Sequence, residues 1–64
     1  MGEEAAPDAL GRLRHDLRTP LALVIGFAEI LAAERTLSEE QRRDLAARAL
    51  SAAFELRALI DAME

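Results

Sequence analysis

LGRLRHDLRTPLALVIGFAEIL, residues 10–31, decides how this chain folds. Its apolar residues Leu10, Leu13, Leu17, Leu21, Val24, Ala28 and Leu31 recur at spacings of three and four. That is the period of one face of an α-helix; a half-buried strand would alternate at every second residue. Gly11 and Gly26 each weaken the helix without breaking the stripe. Pro20 lies inside it, where it deletes one backbone hydrogen bond and is expected to kink the helix beside the histidine. Upstream, residues 1–6 are small and acidic and are expected to fray. Pro7-Asp8 suits a helix start, because proline is tolerated in the first turn and an acid there faces the positive end of the dipole. The spacing therefore predicts a first helix over about residues 8–34.

Downstream the stripe fades at Glu34-Arg35, and a turn is expected over about residues 35–38. Ser38-Glu39-Glu40-Gln41 has the form of a capping box, with Ser38 as the cap and Gln41 reaching back to it. A second stripe runs through Leu45, Ala49, Ala52, Leu56, Leu59 and Met63, and neither Gly nor Pro interrupts residues 39–64. It predicts a second helix over about residues 39–63. Two helices of about 38 Å joined by a short turn must run antiparallel. Ala46, Ala49, Ala52 and Ala53 read as close-packing positions. Phe27 and Phe54, the only aromatics, read as core.

A hairpin buries one seam only. Around Leu23, Ile25, Phe27 and Ile30 the first helix is apolar on more than one side, so it needs more than one neighbour. The expected fold is all-α: one domain over residues 1–64, an antiparallel two-helix hairpin that pairs with a second copy as a homodimeric four-helix bundle.

Composition narrows the chemistry. A chain of 64 residues cannot build a large core alone and gains one from a staple, a metal or a partner. It has no cysteine and a single histidine, which excludes disulfides and argues against any metal site. Twelve acids stand against eight arginines, a net charge of −4, which argues against nucleic acid as a partner. The longest apolar run, Leu21 to Ala33, is broken by Glu29 and is too short to insert into a membrane. Met1-Gly2-Glu3-Glu4 lacks the basic start of a signal peptide. The expected location is the cytoplasm, either for the chain alone or as the cytoplasmic piece of something larger.

Candidate chemistry concentrates in His15-Asp16-Leu17-Arg18-Thr19-Pro20-Leu21. At about 100° per residue, with Leu13 at zero, His15 falls about 200° round the helix, on the far side from the stripe. Thr19 lies about 40° beyond it, and Ala22 and Gly26 share that side. His15 is therefore expected to be exposed, with small residues along its face. A lone histidine on a helix surface is ordinarily just solvated. Here an acid follows it that could accept the Nδ1 proton and leave Nε2 nucleophilic. A hydroxyl stands one turn on, and a proline sits where propensity forbids it, as local violations at functional sites do. Together these residues point to phosphoryl chemistry on a helix surface.

This stretch resembles the H-box of sensor histidine kinases, in the HisKA-type dimerisation and histidine-phosphotransfer domain of two-component systems. The resemblance extends over helix, turn and second helix. It implies a homodimer with His15 as phosphoacceptor, taking the γ-phosphoryl of ATP on Nε2 and passing it to a response-regulator aspartate. It implies that Asp16 orients and deprotonates the imidazole, and that Thr19 positions water when the regulator is dephosphorylated. Pro20 matches the kink proline, and Arg18 the motif arginine, with a structural or electrostatic part. Asp16 is the one modest departure, since glutamate is commoner there. The implied partners are a separate histidine kinase ATP-binding domain, which carries ATP with Mg, and the receiver domain of a response regulator. This chain has glycine only at 2, 11 and 26, so no phosphate-cradling loop can be built and no cofactor is expected on it. The parent is then a kinase, soluble or a membrane sensor.

Two rivals stay open: a stand-alone histidine phosphotransfer protein, and a structural dimerisation module in which His15 is inert. Arg12, Arg14 and Arg18 surround the histidine and either stabilise phosphoryl charge or form ordinary surface charge. Glu39, Glu40, Arg42, Arg43 and Asp44 read as a solvated helix start.

Overall fold

The computed structural model of the chain describes residues 5–63, with side chains from residue 9 onward. Two helices form the fold, α1 (Ala5–Ala33) and α2 (Glu39–Ala62), and no strand occurs among the described residues. Of the stretch expected to fray, residues 1–4 lie outside those described, whereas Ala5 and Ala6 already belong to α1. The helix thus starts before Pro7 rather than at it. Alanine is the strongest helix former, and a first-turn proline gives up an N–H that has no helical partner there.

The capping box of α2 is formed. Ser38 Oγ accepts from the Gln41 backbone N–H at 3.0 Å, and Gln41 Oε1 accepts from the Ser38 N–H at 2.9 Å. Glu39 and Glu40 occupy the first turn, at the positive end of the helix dipole. Across the connector, Glu34 N–H donates to the Ile30 carbonyl at 2.9 Å, and Thr36 Oγ1 donates to Glu34 Oε1 at 3.0 Å. Leu37 is half-buried, so the connector closes over one apolar side chain.

The helices run antiparallel, bringing Ala9, Leu13 and Asp16 beside Leu59, Ala62 and Met63. The seam between them is formed by Leu13, Leu17, Pro20, Val24, Phe27 and Leu31 of α1, all buried or half-buried. On α2 it is formed by Leu45, Ala49, Ala52, Leu56 and Leu59. Both lists step alternately by four and three, the seven-residue repeat of helices that pack along their length.

That repeat corrects the expected stripe. Leu10, Leu21 and Ala28 are exposed, and Pro20 and Phe27 take the places assigned to Leu21 and Ala28. Consecutive residues differ by about 100°, so only one of each pair can face α2. Leucine beside proline looked like the seam residue, but the repeat selects the proline. Pro20 is the most buried residue described, so it is a packing element as well as a break in the hydrogen-bond ladder. Phe54 is half exposed rather than core; its ring instead lies 5.0 Å from the Arg57 guanidinium. Met63 is exposed at the open end of the second stripe, and Ala46 is exposed while Ala49, Ala52 and Ala53 pack.

The hairpin is a single layer. Its accessible surface is 5244 Å², against about 4,000 Å² for a compact protein of the same mass. Its radius of gyration is 15.8 Å, where a compact chain of this length has about 11 Å. Ala52 is the one buried hydrophobic side chain besides Pro20 among the described residues. Helical geometry puts the exposed Leu10, Leu21 and Ile25 of α1 and Leu50 and Ile60 of α2 on one broad face, and the exposed Leu23 and Ile30 on the other flank of α1. No helix among the described residues is long and apolar enough to cross a membrane.

Candidate functional site

His15 lies on α1 two residues from seam positions Leu13 and Leu17, and it is exposed. Leu13 and Leu17 fix the rotation of α1 against α2, and the imidazole follows on the outer side. Side chains on a helix lean toward its N-terminus, so the imidazole leans over Gly11, one turn below. A Cβ added at Gly11 would meet nothing within 4 Å, and the same is true at Gly26. The imidazole therefore has open space on its approach side. Thr19 is exposed one turn above it, followed by exposed Ala22 and half-buried Gly26.

Asp16 turns the other way round the helix. It lines a cleft at the open end of the hairpin with Arg12 and Leu13 of α1 and Leu59, Ala62 and Met63 of α2. All side-chain hydrogen bonds among the described residues fall between Glu34 and Arg48, so His15, Asp16 and Thr19 form none there. Adjacent helical side chains diverge, which is why His15 and Asp16 do not meet in the free hairpin. Pro20 has no N–H to offer the Asp16 carbonyl four residues back, so that carbonyl also keeps free accepting capacity.

Arg12, Arg14 and Arg18 are exposed, and the one ion pair among the described residues is elsewhere, Arg48 Nε to Asp44 Oδ2 at 2.9 Å. No group of three or more His, Cys, Asp or Glu side chains among the described residues is arranged to hold a metal ion. The site is thus a surface with an uncovered imidazole, a carboxylate at its edge, a hydroxyl one turn on and cations around it. It has no enclosing walls.

Two features of the site were not read from the sequence. One is the last turn of α2 beside Asp16, which the antiparallel pairing already implied. Residues equidistant from the connector face each other, and Leu59 and Leu13 are each 23 residues from Thr36. The other is the empty space over Gly11, for which a glycine four residues before the histidine was the available signal.

Comparison with curated proteins and with solved structures gives no significant match. The sequence model of the family described as "His Kinase A (phospho-acceptor) domain" matches residues 8–64, nearly the whole chain. Domains of this family have the phosphoacceptor and dimerisation role in histidine kinases of two-component signalling. An antiparallel hairpin with one face uncovered and a histidine free on the other side agrees with that role, and the chain belongs to the His Kinase A phospho-acceptor family.

Proposed function

We propose that His15 accepts the phosphoryl group in this domain and passes it to an aspartate on a response regulator. The observation that carries the reading is the exposure of the chain's one imidazole, on a helix whose apolar seam points the other way. In the first step Nε2 of His15 attacks the terminal phosphorus of ATP presented by a separate domain. The N–P bond forms as the P–O bond to ADP breaks. The proton on Nδ1 passes to the Asp16 carboxylate, which also fixes the ring orientation. Asp16 makes no such bond in the free hairpin; catalytic hydrogen bonds commonly close only in the reacting complex. In the second step the regulator aspartate attacks the same phosphorus, the N–P bond breaks, and a proton returns from Asp16 to Nδ1 so that the ring leaves as neutral imidazole. The small residues Thr19, Ala22 and Gly26 leave room for the regulator along that face. Thr19 then serves the reverse regulation, holding water toward the aspartyl phosphate.

The functional unit is a homodimer. The apolar face formed by Leu10, Leu21, Ile25, Leu50 and Ile60 is uncovered in one hairpin, and a second copy covers it in a four-helix bundle. The experiment that tests the acceptor is His15→Gln, with a histidine kinase ATP-binding domain and ATP added. The variant should keep native helicity and take up no acid-labile phosphate. Wild-type uptake by that variant overturns the reading.

A further inference from the structure

We infer that Arg12 is the phosphoryl-binding residue of the His15 site, a role that rests on His15 being the phosphoacceptor. Three arginines stand near the histidine. Arg14 is its immediate neighbour, and its side chain diverges by about 100°. Arg12 and Arg18 each lie three positions away, about 60° to either side of it. Arg18 falls toward the flank of Leu21 and Ile25, the apolar face that the second copy covers. Arg12 falls on the opposite flank, which also carries exposed Leu23 and Ile30, and there it lines the open cleft together with Asp16. The side chain of His15 leans toward the N-terminal turn, to the level of Gly11 and Arg12, and away from Arg18. A Cβ added at Gly11, on the other side of His15, would meet nothing within 4 Å, so the N-terminal side of the imidazole is open.

The charges favour a cation at this place. A phosphoryl group on Nε2 brings about two negative charges next to Asp16, on a chain already at −4. Before it takes the Nδ1 proton, and again once that proton passes to solvent, the Asp16 carboxylate is a like charge close to the phosphoryl group and repels it. Arg12 lies between the two in angle and one turn below both. A guanidinium there donates to phosphoryl oxygens and shields them from the carboxylate in one arrangement. Arg12 pairs with no acid among the described residues.

The test uses the chain itself and phosphoramidate as the phosphoryl donor, which needs no second domain. The N–P bond to His15 Nε2 forms, the P–N bond of phosphoramidate breaks, ammonia leaves, and the Nδ1 proton goes to Asp16. Uptake and later loss of the phosphoryl group are followed by phosphorus NMR, with circular dichroism confirming the helices. At low salt Arg12→Gln should slow uptake about three- to fivefold, the range of an exposed ion pair. Arg12→Lys should lie between wild type and Arg12→Gln, and Arg14→Gln should match wild type. At about 0.5 M salt the difference should shrink below about twofold, because screening acts on exposed charges. A wild-type rate for Arg12→Gln at low salt overturns the assignment. So does a loss that salt does not reduce, or a larger loss in Arg18→Gln. Phosphoryl uptake by wild type with His15→Gln blank shows that such a failure concerns Arg12 alone; no uptake by wild type overturns both readings.

Discussion

Pro20 and Ala52 lie sixteen residues before and after Thr36, and they are the two buried residues among those described. Both helices rise about 1.5 Å per residue, so equal distance from the connector puts the two at one height of the hairpin. The pairing suits both partners. A proline ring is bulky at a position where the ladder is already broken, and alanine is small enough to let the helices approach there. The break and the close approach thus fall together, one turn above His15.

If this height is the tightest level of the hairpin, a larger side chain there must push the helices apart. Ala52→Leu should lose about 1–3 kcal/mol, the usual cost of overpacking. Ala58→Leu, on the exposed side of the same helix, should change stability by less than about 0.5 kcal/mol. Urea melts of the two variants at one concentration make the comparison. Equal losses would place the tight contact elsewhere.

The uncovered face yields a prediction about assembly. Leu21 is 43% exposed in one hairpin, so a charge there is harmless to an isolated hairpin and harmful to a dimer. Leu21→Glu should shift sedimentation toward monomer and lower the melting temperature. Wild type should melt at higher temperature as its concentration rises, since association stabilises the folded state. A melting temperature constant over about a hundredfold range of concentration contradicts the dimer.

Helical glycines with empty space around them should respond in a simple way. A Cβ at Gly26 meets nothing, so Gly26→Ala should stabilise the helix by about 0.5–1 kcal/mol through backbone entropy. The same methyl group narrows the face along which the regulator is proposed to dock. The expected outcome is a protein that melts higher yet transfers phosphoryl more slowly to its regulator. Faster or unchanged transfer would remove Gly26 from that face.

The two helices were legible because their patterns repeat over six or more turns and one boundary carries a complete cap at Ser38 and Gln41. The exposure of His15 followed from the same period. What the pattern could not rank were adjacent apolar residues: Leu21 against Pro20, and Ala28 against Phe27. Period 3.6 tolerates either choice over a few turns, whereas packing against a second helix selects the seven-residue repeat. Phe54 was misread for a related reason. Hydrophobicity says that a side chain gains from burial, and only the partner surface says where; a single layer of two helices has no inside at that position. At the site, residue types suggested the chemistry, while helix period and antiparallel pairing already implied the divergence of His15 from Asp16 and the last turn of α2 beside Asp16.

Asp16 provides a test of the first proton transfer. Asp16→Asn keeps the size and the helix but cannot take a proton at neutral pH. Phosphoryl uptake from ATP, with the ATP-binding domain in excess, should fall by about 10² or more, the usual contribution of a positioned base. Helicity and dimer mass should be unchanged, because the side chain makes no hydrogen bond among the described residues. A wild-type rate would mean that solvent removes the Nδ1 proton and that Asp16 serves the cleft alone.

Thr19 separates two activities on one helix face. It is exposed one turn above His15, so its hydroxyl projects beside the imidazole without touching the seam. A hydroxyl both donates and accepts, and so can hold a water in line with an aspartyl phosphate on a docked regulator. The uptake proposed at His15 needs a different geometry, in which the proton leaves Nδ1 toward Asp16 on the other side of the ring. Thr19→Ala should therefore slow dephosphorylation of the regulator by about tenfold or more while changing uptake at His15 by less than about twofold. Thr19→Ser keeps the hydroxyl and should restore most of the dephosphorylation rate. Both rates are measured on the same preparations, with the ATP-binding domain added for uptake and removed for dephosphorylation. Equal losses in the two rates would assign Thr19 to the regulator interface or to the helix. Failure of serine to rescue would show that the methyl group, and so packing against the regulator, is what Thr19 contributes.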